Sequence, residues 1–285
     1  MRKSAALLIP IVLLAGCKTA GEAAPADAGR SSRAHKPSAD RPKHKPKPKP
    51  KREPVRKPRA TATPKPSPSR PTPPLRAGDR RLRPGAEGAD VRELQRRLKG
   101  LRYDPGEVDG EYGTSTQLAV WAFQAVNRLK QSGTLGAPFW KALDRPRGPR
   151  PMARRHEGDR VDVDLRRQYL VLYRDGRPRL ITHVSSGSGE YYCAKDRGAT
   201  VARCRYATTG TGDFRTGRRA KGWEISPLGR LYNPVYFNGG IAFHGALHVP
   251  RYPASHGCVR LPMHIAEYFP SLVGTGVAVH VRRPG

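Results

Sequence analysis

Arg160-Val161-Asp162-Val163-Asp164-Leu165 alternates apolar and polar side chains, and Gln168-Tyr169-Leu170-Val171-Leu172-Tyr173 continues as a β-branched and aromatic run. Alternation with period two is what a half-buried strand shows, and the second run reads as a second strand. Arg174-Asp175-Gly176-Arg177 follows. Asp-Gly accepts the positive φ angles of a tight hairpin turn. Leu180-Ile181-Thr182-His183-Val184-Ser185 is the return strand, ending in Ser186-Gly187-Ser188-Gly189. Further on, Ile241-Ala242-Phe243 delivers His244 at a strand end, Pro262 to Phe269 suits a short helix, and Val277 to Val281 a last strand. Short strands with Gly-rich turns predict a mostly β domain. Tyr191 to Asn238 reads as irregular and aromatic, the composition of a loop over a site.

Within this domain, Ser255-His256-Gly257-Cys258-Val259-Arg260 follows His244-Gly245. A cysteine nucleophile needs a base to make thiolate and backbone N–H groups to hold an oxyanion. A free thiol, with a pKa of about 8.5, is mostly protonated at neutral pH, and a nearby imidazole lowers it. A glycine lets the backbone approach substrate closely. The array resembles the signature of the YkuD-type L,D-transpeptidases, which cross-link bacterial peptidoglycan: a His, a spacer, then Ser/Thr-His-Gly-Cys. The resemblance implies Cys258 as nucleophile and His244 as base. It implies Gly245 as the residue whose carbonyl orients the imidazole, and the amides of His256, Gly257 and Cys258 as the oxyanion hole. That family often has Asn where this chain has Arg260. Ser255, Arg260, Tyr232 and Tyr236 are the expected substrate contacts. The fold implied is a β-sandwich-like YkuD-type catalytic domain with the cysteine in a cleft.

Zinc bound by His244, His256 and Cys258, with His248 and His264 nearby, is the chemical alternative. The regular spacing of a zinc site, such as Cys-x-x-Cys, is missing from the sequence. No metal and no cofactor are expected.

A second, helical module precedes the β domain. Val91, Leu94 and Leu98 fall on one helical face, with Asp90 as the expected N-cap and Gly100 as the stop. Asp109-Gly110-Glu111-Tyr112-Gly113 makes a turn, and Thr114 or Ser115 is expected to cap a second helix carrying Leu118, Trp121, Ala122 and Ala125. Phe139-Trp140 and Leu143 suggest a short third helix. The pattern resembles a three-helix peptidoglycan-binding domain. The fold class is therefore multidomain: a small all-α wall-binding domain, then a mostly β catalytic one.

The chain has 285 residues and a net charge of +31. Arg2 and Lys3 precede an apolar run, Ala5 to Leu14, too short to span a bilayer. It leads into Leu14-Ala15-Gly16-Cys17, which resembles a bacterial lipobox, so Cys17 is the expected lipidation site. Lipid attachment converts a soluble chain into an anchored one. A Pro/Lys/Arg tract follows. It cannot build a core and reads as a disordered, extended linker. The domain reading is 1–17 signal peptide, 18–80 linker, 81–145 wall-binding domain and 155–285 catalytic domain.

The remaining cysteines read as a structural bridge, with redox regulation as the alternative. Cys193 and Cys204 are expected to pair in an oxidising compartment. The strong positive charge raises the question of nucleic acid. No recognition motif is visible, and anionic wall polymers and lipids suit an exported chain better. The expected partners are peptidoglycan stem peptides and glycan, with the membrane reached through a lipid anchor. The resemblance implies a transpeptidase forming 3-3 cross-links through a cysteine acyl-enzyme. An L,D-carboxypeptidase using water as acceptor would share the site, and a non-catalytic wall-binding lipoprotein is a third class.

Overall fold

The computed structural model describes residues 81–153, 158–195 and 198–284. The expected signal peptide, Cys17 and the basic linker lie outside the described residues. Three helices come first: α1 (Ala89–Gly100), α2 (Thr114–Val126) and α3 (Ala137–Asp144). Val91, Leu94 and Leu98 are fully buried, as their spacing predicts. The caps differ from expectation. Gly88 and Gly113 occupy the N-cap positions of α1 and α2, neither with a side-chain cap. Asp90 instead falls in the first turn of α1, where a negative charge favours the helix dipole. The Ser115 hydroxyl turns away to Nδ1 of His264, 3.2 Å distant.

The rest is mostly strand: β1 (Arg160–Asp164), β2 (Tyr169–Arg174), β3 (Arg177–His183), β4 (Tyr191–Lys195), β5 (Ala202–Tyr206), β6 (Gly212–Arg215), β7 (Trp223–Ser226), β8 (Gly229–Asn238), β9 (Ile241–Gly245), β10 (Val259–Leu261), then α4 (Met263–Val273) and β11 (Ala278–Arg282). A five-stranded sheet has the order β3-β2-β1-β11-β6, a four-stranded sheet β10-β9-β8-β7, and β4-β5 stand as a separate pair. The β2–β3 turn carries Asp175 at φ 50° and Gly176 at φ 72°, as Asp-Gly foretold. The stretch expected to be irregular, Tyr191 to Asn238, contains five of these strands. Exposed and half-exposed residues alternate in β4, β6 and β7, so little apolar periodicity marks them.

β1 was expected to be half-buried, but all five of its residues are buried. Packing of the helical module against the sheet shows why the strands beside it are too. Leu170 and Leu172 of β2 face a core shared with Phe243, Ile265 and Phe269. Tyr169, Val171 and Tyr173, on the opposite face, join Ile181 in the core of the helical module, among Phe123, Phe139 and Trp140. Backbone reinforces this junction, because the Ile181 amide donates to the Arg102 carbonyl at 2.8 Å. On the buried face that Asp162 of β1 shares with Val171, its carboxylate accepts from Arg160 at 3.3 Å and from the Met152 amide at 3.0 Å. The two modules read from the sequence thus share one interior.

Candidate active site

β9 and β10 lie side by side and parallel, with Val259 opposite Phe243, Arg260 opposite His244 and Leu261 opposite Gly245. Paired residues project to the same face and successive residues to opposite faces. Phe243, Val259 and Leu261 are buried in the core with α4. His244 and Arg260 therefore share the other face. Gly245 has no room for a side chain: a Cβ there would meet Ala266 Cβ at 2.7 Å and Met263 Sδ at 3.1 Å.

Cys258 ends the turn that feeds β10 and is half-buried. Its sulfur accepts from the Ala242 amide at 3.4 Å and lies 3.7 Å from the Gly240 carbonyl. His244 is 7 % exposed. Its Nδ1 lies 2.9 Å from the Gly245 carbonyl oxygen. A carbonyl only accepts, so Nδ1 carries the proton and Nε2 keeps its lone pair. Burial holds this imidazole down to about 4, with the Arg260 charge acting in the same direction. Burial also pushes the Cys258 thiol up, against the lowering effects of the Ala242 amide and Arg260. Thiol and imidazole are therefore both neutral at neutral pH.

The turn is held from within. Gly257 has φ 132°, and a Cβ there would meet Ile241 Cδ1 at 2.8 Å and Thr208 O at 3.0 Å. Ser255 Oγ accepts the Gly257 amide at 3.0 Å and donates to the Cys258 carbonyl at 2.5 Å. Thr209 Oγ1 donates to the Gly257 carbonyl at 2.5 Å and accepts the Gly187 amide at 2.9 Å. Two expectations change here. Ser255, buried and engaged on both sides, braces the turn rather than facing substrate. The Gly257 amide, expected in an oxyanion hole, is already occupied by Ser255. Thr209 was not singled out by the sequence, since a threonine in a polar stretch carries no local signal.

The two tyrosines separate. Tyr236 pairs with Ala242 and so shares the face of His244, while Tyr232 pairs with Gly245 on the α4 side. Tyr232 donates to Glu267 of α4 at 2.8 Å, away from His244, which removes it from the expected substrate contacts. Tyr236 donates to Glu224 at 3.0 Å, and the Arg218 guanidinium lies 3.8 Å from its ring centre. His256 is exposed, and its ring meets Tyr192 of β4. Cys193 and Cys204, directly opposite each other in the β4–β5 pair, are bonded as a disulfide. Among the described residues no three His, Cys, Asp or Glu side chains converge as a metal set. His264, part of the zinc alternative, instead bonds Ser115 and the Asp104 carbonyl at the helical module.

A family model described as the L,D-transpeptidase catalytic domain matches residues 158–281, and one described as a putative peptidoglycan binding domain matches residues 87–143. The solved L,D-transpeptidase of Xylanimonas cellulosilytica DSM 15894 (residues 123–326) is 37% identical, covering 74% of this chain and 100% of that one, with a TM-score of 0.64. The chain belongs to the L,D-transpeptidase family. A second solved L,D-transpeptidase, from Stackebrandtia nassauensis, is 22% identical over 72% of this chain and 97% of that one, with a TM-score of 0.41. The carboxy-terminal processing protease CtpB of Bacillus subtilis (strain 168) is 44% identical over 46 residues, 16% of this chain. The chain spans only 10% of that curated relative's length. No helix among the described residues of this L,D-transpeptidase is long and apolar enough to cross a membrane.

Proposed function

We propose that this L,D-transpeptidase forms 3-3 cross-links between peptidoglycan stem peptides through a thioester on Cys258. The observation that carries the reading is the His244 tautomer. With Nδ1 bound to the Gly245 carbonyl, Nε2 is the free base of an imidazole that is neutral at working pH. His244 takes the Cys258 proton as the sulfur attacks the carbonyl of the donor's third residue. The amides of His256 and Cys258 receive the oxyanion. The C–N bond to the fourth residue breaks, and the imidazolium returns its proton to the departing amine. An amine on a neighbouring stem then attacks the thioester, losing its proton to His244 and releasing the thiol. Because the resting pair is neutral, the proton passes to His244 as the sulfur attacks, with no standing thiolate. Tyr236 and Arg260 line the face on which the donor lies.

Residues 81–145 act as the wall-binding domain and 155–285 as the catalytic domain. Residues 1–17 form a lipoprotein signal peptide with Cys17 as the lipid anchor, and 18–80 a linker that lets a membrane-held enzyme reach into the wall. Water as acceptor would give the L,D-carboxypeptidase alternative.

Incubation with a disaccharide tetrapeptide, followed by mass analysis, tests the reading. Cross-linked dimers are expected. Loss of the terminal residue alone would indicate the carboxypeptidase, and no reaction would indicate a binding protein. Anchoring is checked by Cys17→Ala, which should release the protein from the membrane fraction.

A further inference from the structure

Among the described residues no carboxylate pairs with Arg260. It is half-buried beside the thiol and imidazole, and among the described residues its side chain makes no hydrogen bond or ion pair. Elsewhere in the fold Arg97, Arg160, Arg167, Arg174, Arg218 and Arg282 each hold a carboxylate. Its backbone is fixed on both sides. β10 is paired with β9, and the Arg260 amide and carbonyl bond Ser185 at 3.0 and 3.2 Å. A half-buried guanidinium left unpaired costs stability unless a ligand completes it. Its planar fork suits a carboxylate, which it binds with two parallel hydrogen bonds.

Which carboxylate follows from the position of His244. On the proposed reaction, on which this inference rests, His244 hands its proton to the amine of the departing fourth residue. That residue must therefore lie on the His244 side of Cys258. Arg260 is the cross-strand partner of His244, on the same face. The departing residue carries its own α-carboxylate one carbon from the reacting nitrogen. We propose that Arg260 seats the free α-carboxylate of the donor's C-terminal, departing residue. Sulfur–carbon bond formation and carbon–nitrogen cleavage proceed as above, and the released amino acid takes the carboxylate with it. Binding would also cancel the positive field that weakens His244 as a base, so the correct donor improves its own base.

Two donors that differ in one group test this: a stem tetrapeptide with a free terminal carboxylate and the same peptide ended in a carboxamide. The wild-type enzyme should prefer the acid by about 10- to 100-fold in kcat/KM, the range of a charge-assisted hydrogen bond. In Arg260→Gln that preference should collapse toward unity, through loss on the acid alone. Binding is measured separately by calorimetry in a Cys258→Ala background, with and without Arg260→Gln. Equal preference for the acid with and without Arg260 overturns the proposal. So does a penalty that appears only when the side-chain carboxylate of residue three is amidated. If Cys258→Ala binds the acid through Arg260 while the wild type turns over neither donor, the carboxylate seat stands and the transfer reaction fails. The acid–amide comparison in wild type needs no variant, so a folding defect in Arg260→Gln leaves the proposal exposed to refutation.

Discussion

The Tyr192 ring meets the His256 ring edge-on, with centroids 4.8 Å apart. This contact ties the turn that carries Cys258 to the β4–β5 hairpin. Tyr192 stands opposite Arg205, whose Nε donates to the Tyr192 hydroxyl at 2.8 Å. Cys193 and Cys204, the next pair along, point to the opposite face.

A two-stranded hairpin is marginal by itself. The residues of this one are exposed or half-exposed, so it has little core of its own. Closing so short a loop with a disulfide contributes about 2–3 kcal/mol in the chain-entropy model. Replacing both cysteines by serine should loosen Tyr192 from His256. About 1 kcal/mol of lost positioning corresponds to about a fivefold fall in kcat/KM. Reductant should reproduce that fall in wild type and add nothing in the double serine variant. Unchanged kinetics in the variant would show the hairpin to be irrelevant to the turn.

Cys258→Ala should abolish both turnover and the covalent adduct formed with a carbapenem, an acylating agent that needs a thiolate. The side chain is small and half-buried, so melting should shift by less than the equivalent of about 1 kcal/mol. Intact-protein mass spectrometry reads the adduct. An adduct that persists in the alanine variant would move the nucleophile elsewhere.

Two imidazoles predict the behaviour in acid. Burial holds His183 and His244 each to about 4, below the ordinary histidine value of 6.5. Between those values the unfolded chain binds more protons than the folded one, so stability rises with pH across the window. It should be fully present above about pH 6.5 and fall by roughly 2–3 kcal/mol for each ring as pH drops to 4. Where the protein stays folded, the acid limb of kcat/KM should lie near the low value for His244 rather than at 6.5. Denaturant titrations across the range check the first statement. An acid limb centred at 6.5 would contradict the second.

The shared interior makes the catalytic domain dependent on the helices. Deleting residues 81–145 would uncover Tyr169, Val171, Tyr173 and Ile181, now packed against Phe123, Phe139 and Trp140. Each such side chain contributes about 1.5–3 kcal/mol when buried. The truncated protein should melt many degrees lower or aggregate, as calorimetry and size-exclusion chromatography would show. A truncated domain with the full-length melting temperature would mean that the contact is dispensable.

Where chemistry depends on neighbours in sequence, the sequence was enough. Asp175-Gly176 required the β2–β3 turn, because only such residues take two successive positive φ angles readily. Helical spacing placed Val91, Leu94 and Leu98 inside. The expected bond between Cys193 and Cys204 is likewise present. Which face a side chain takes was another matter. A strand shows period two, but only its register with distant partners says what each face meets. So Tyr236 and Tyr232 looked equivalent until pairing with Ala242 and Gly245 sent one to His244's face and the other to Glu267. Ser255 looked like a substrate contact until the turn closed its hydroxyl between Gly257 and Cys258. β2 was legible as a strand, yet its second buried face depended on helices that end at least 25 residues earlier, and that contact is long-range packing which no local pattern encodes.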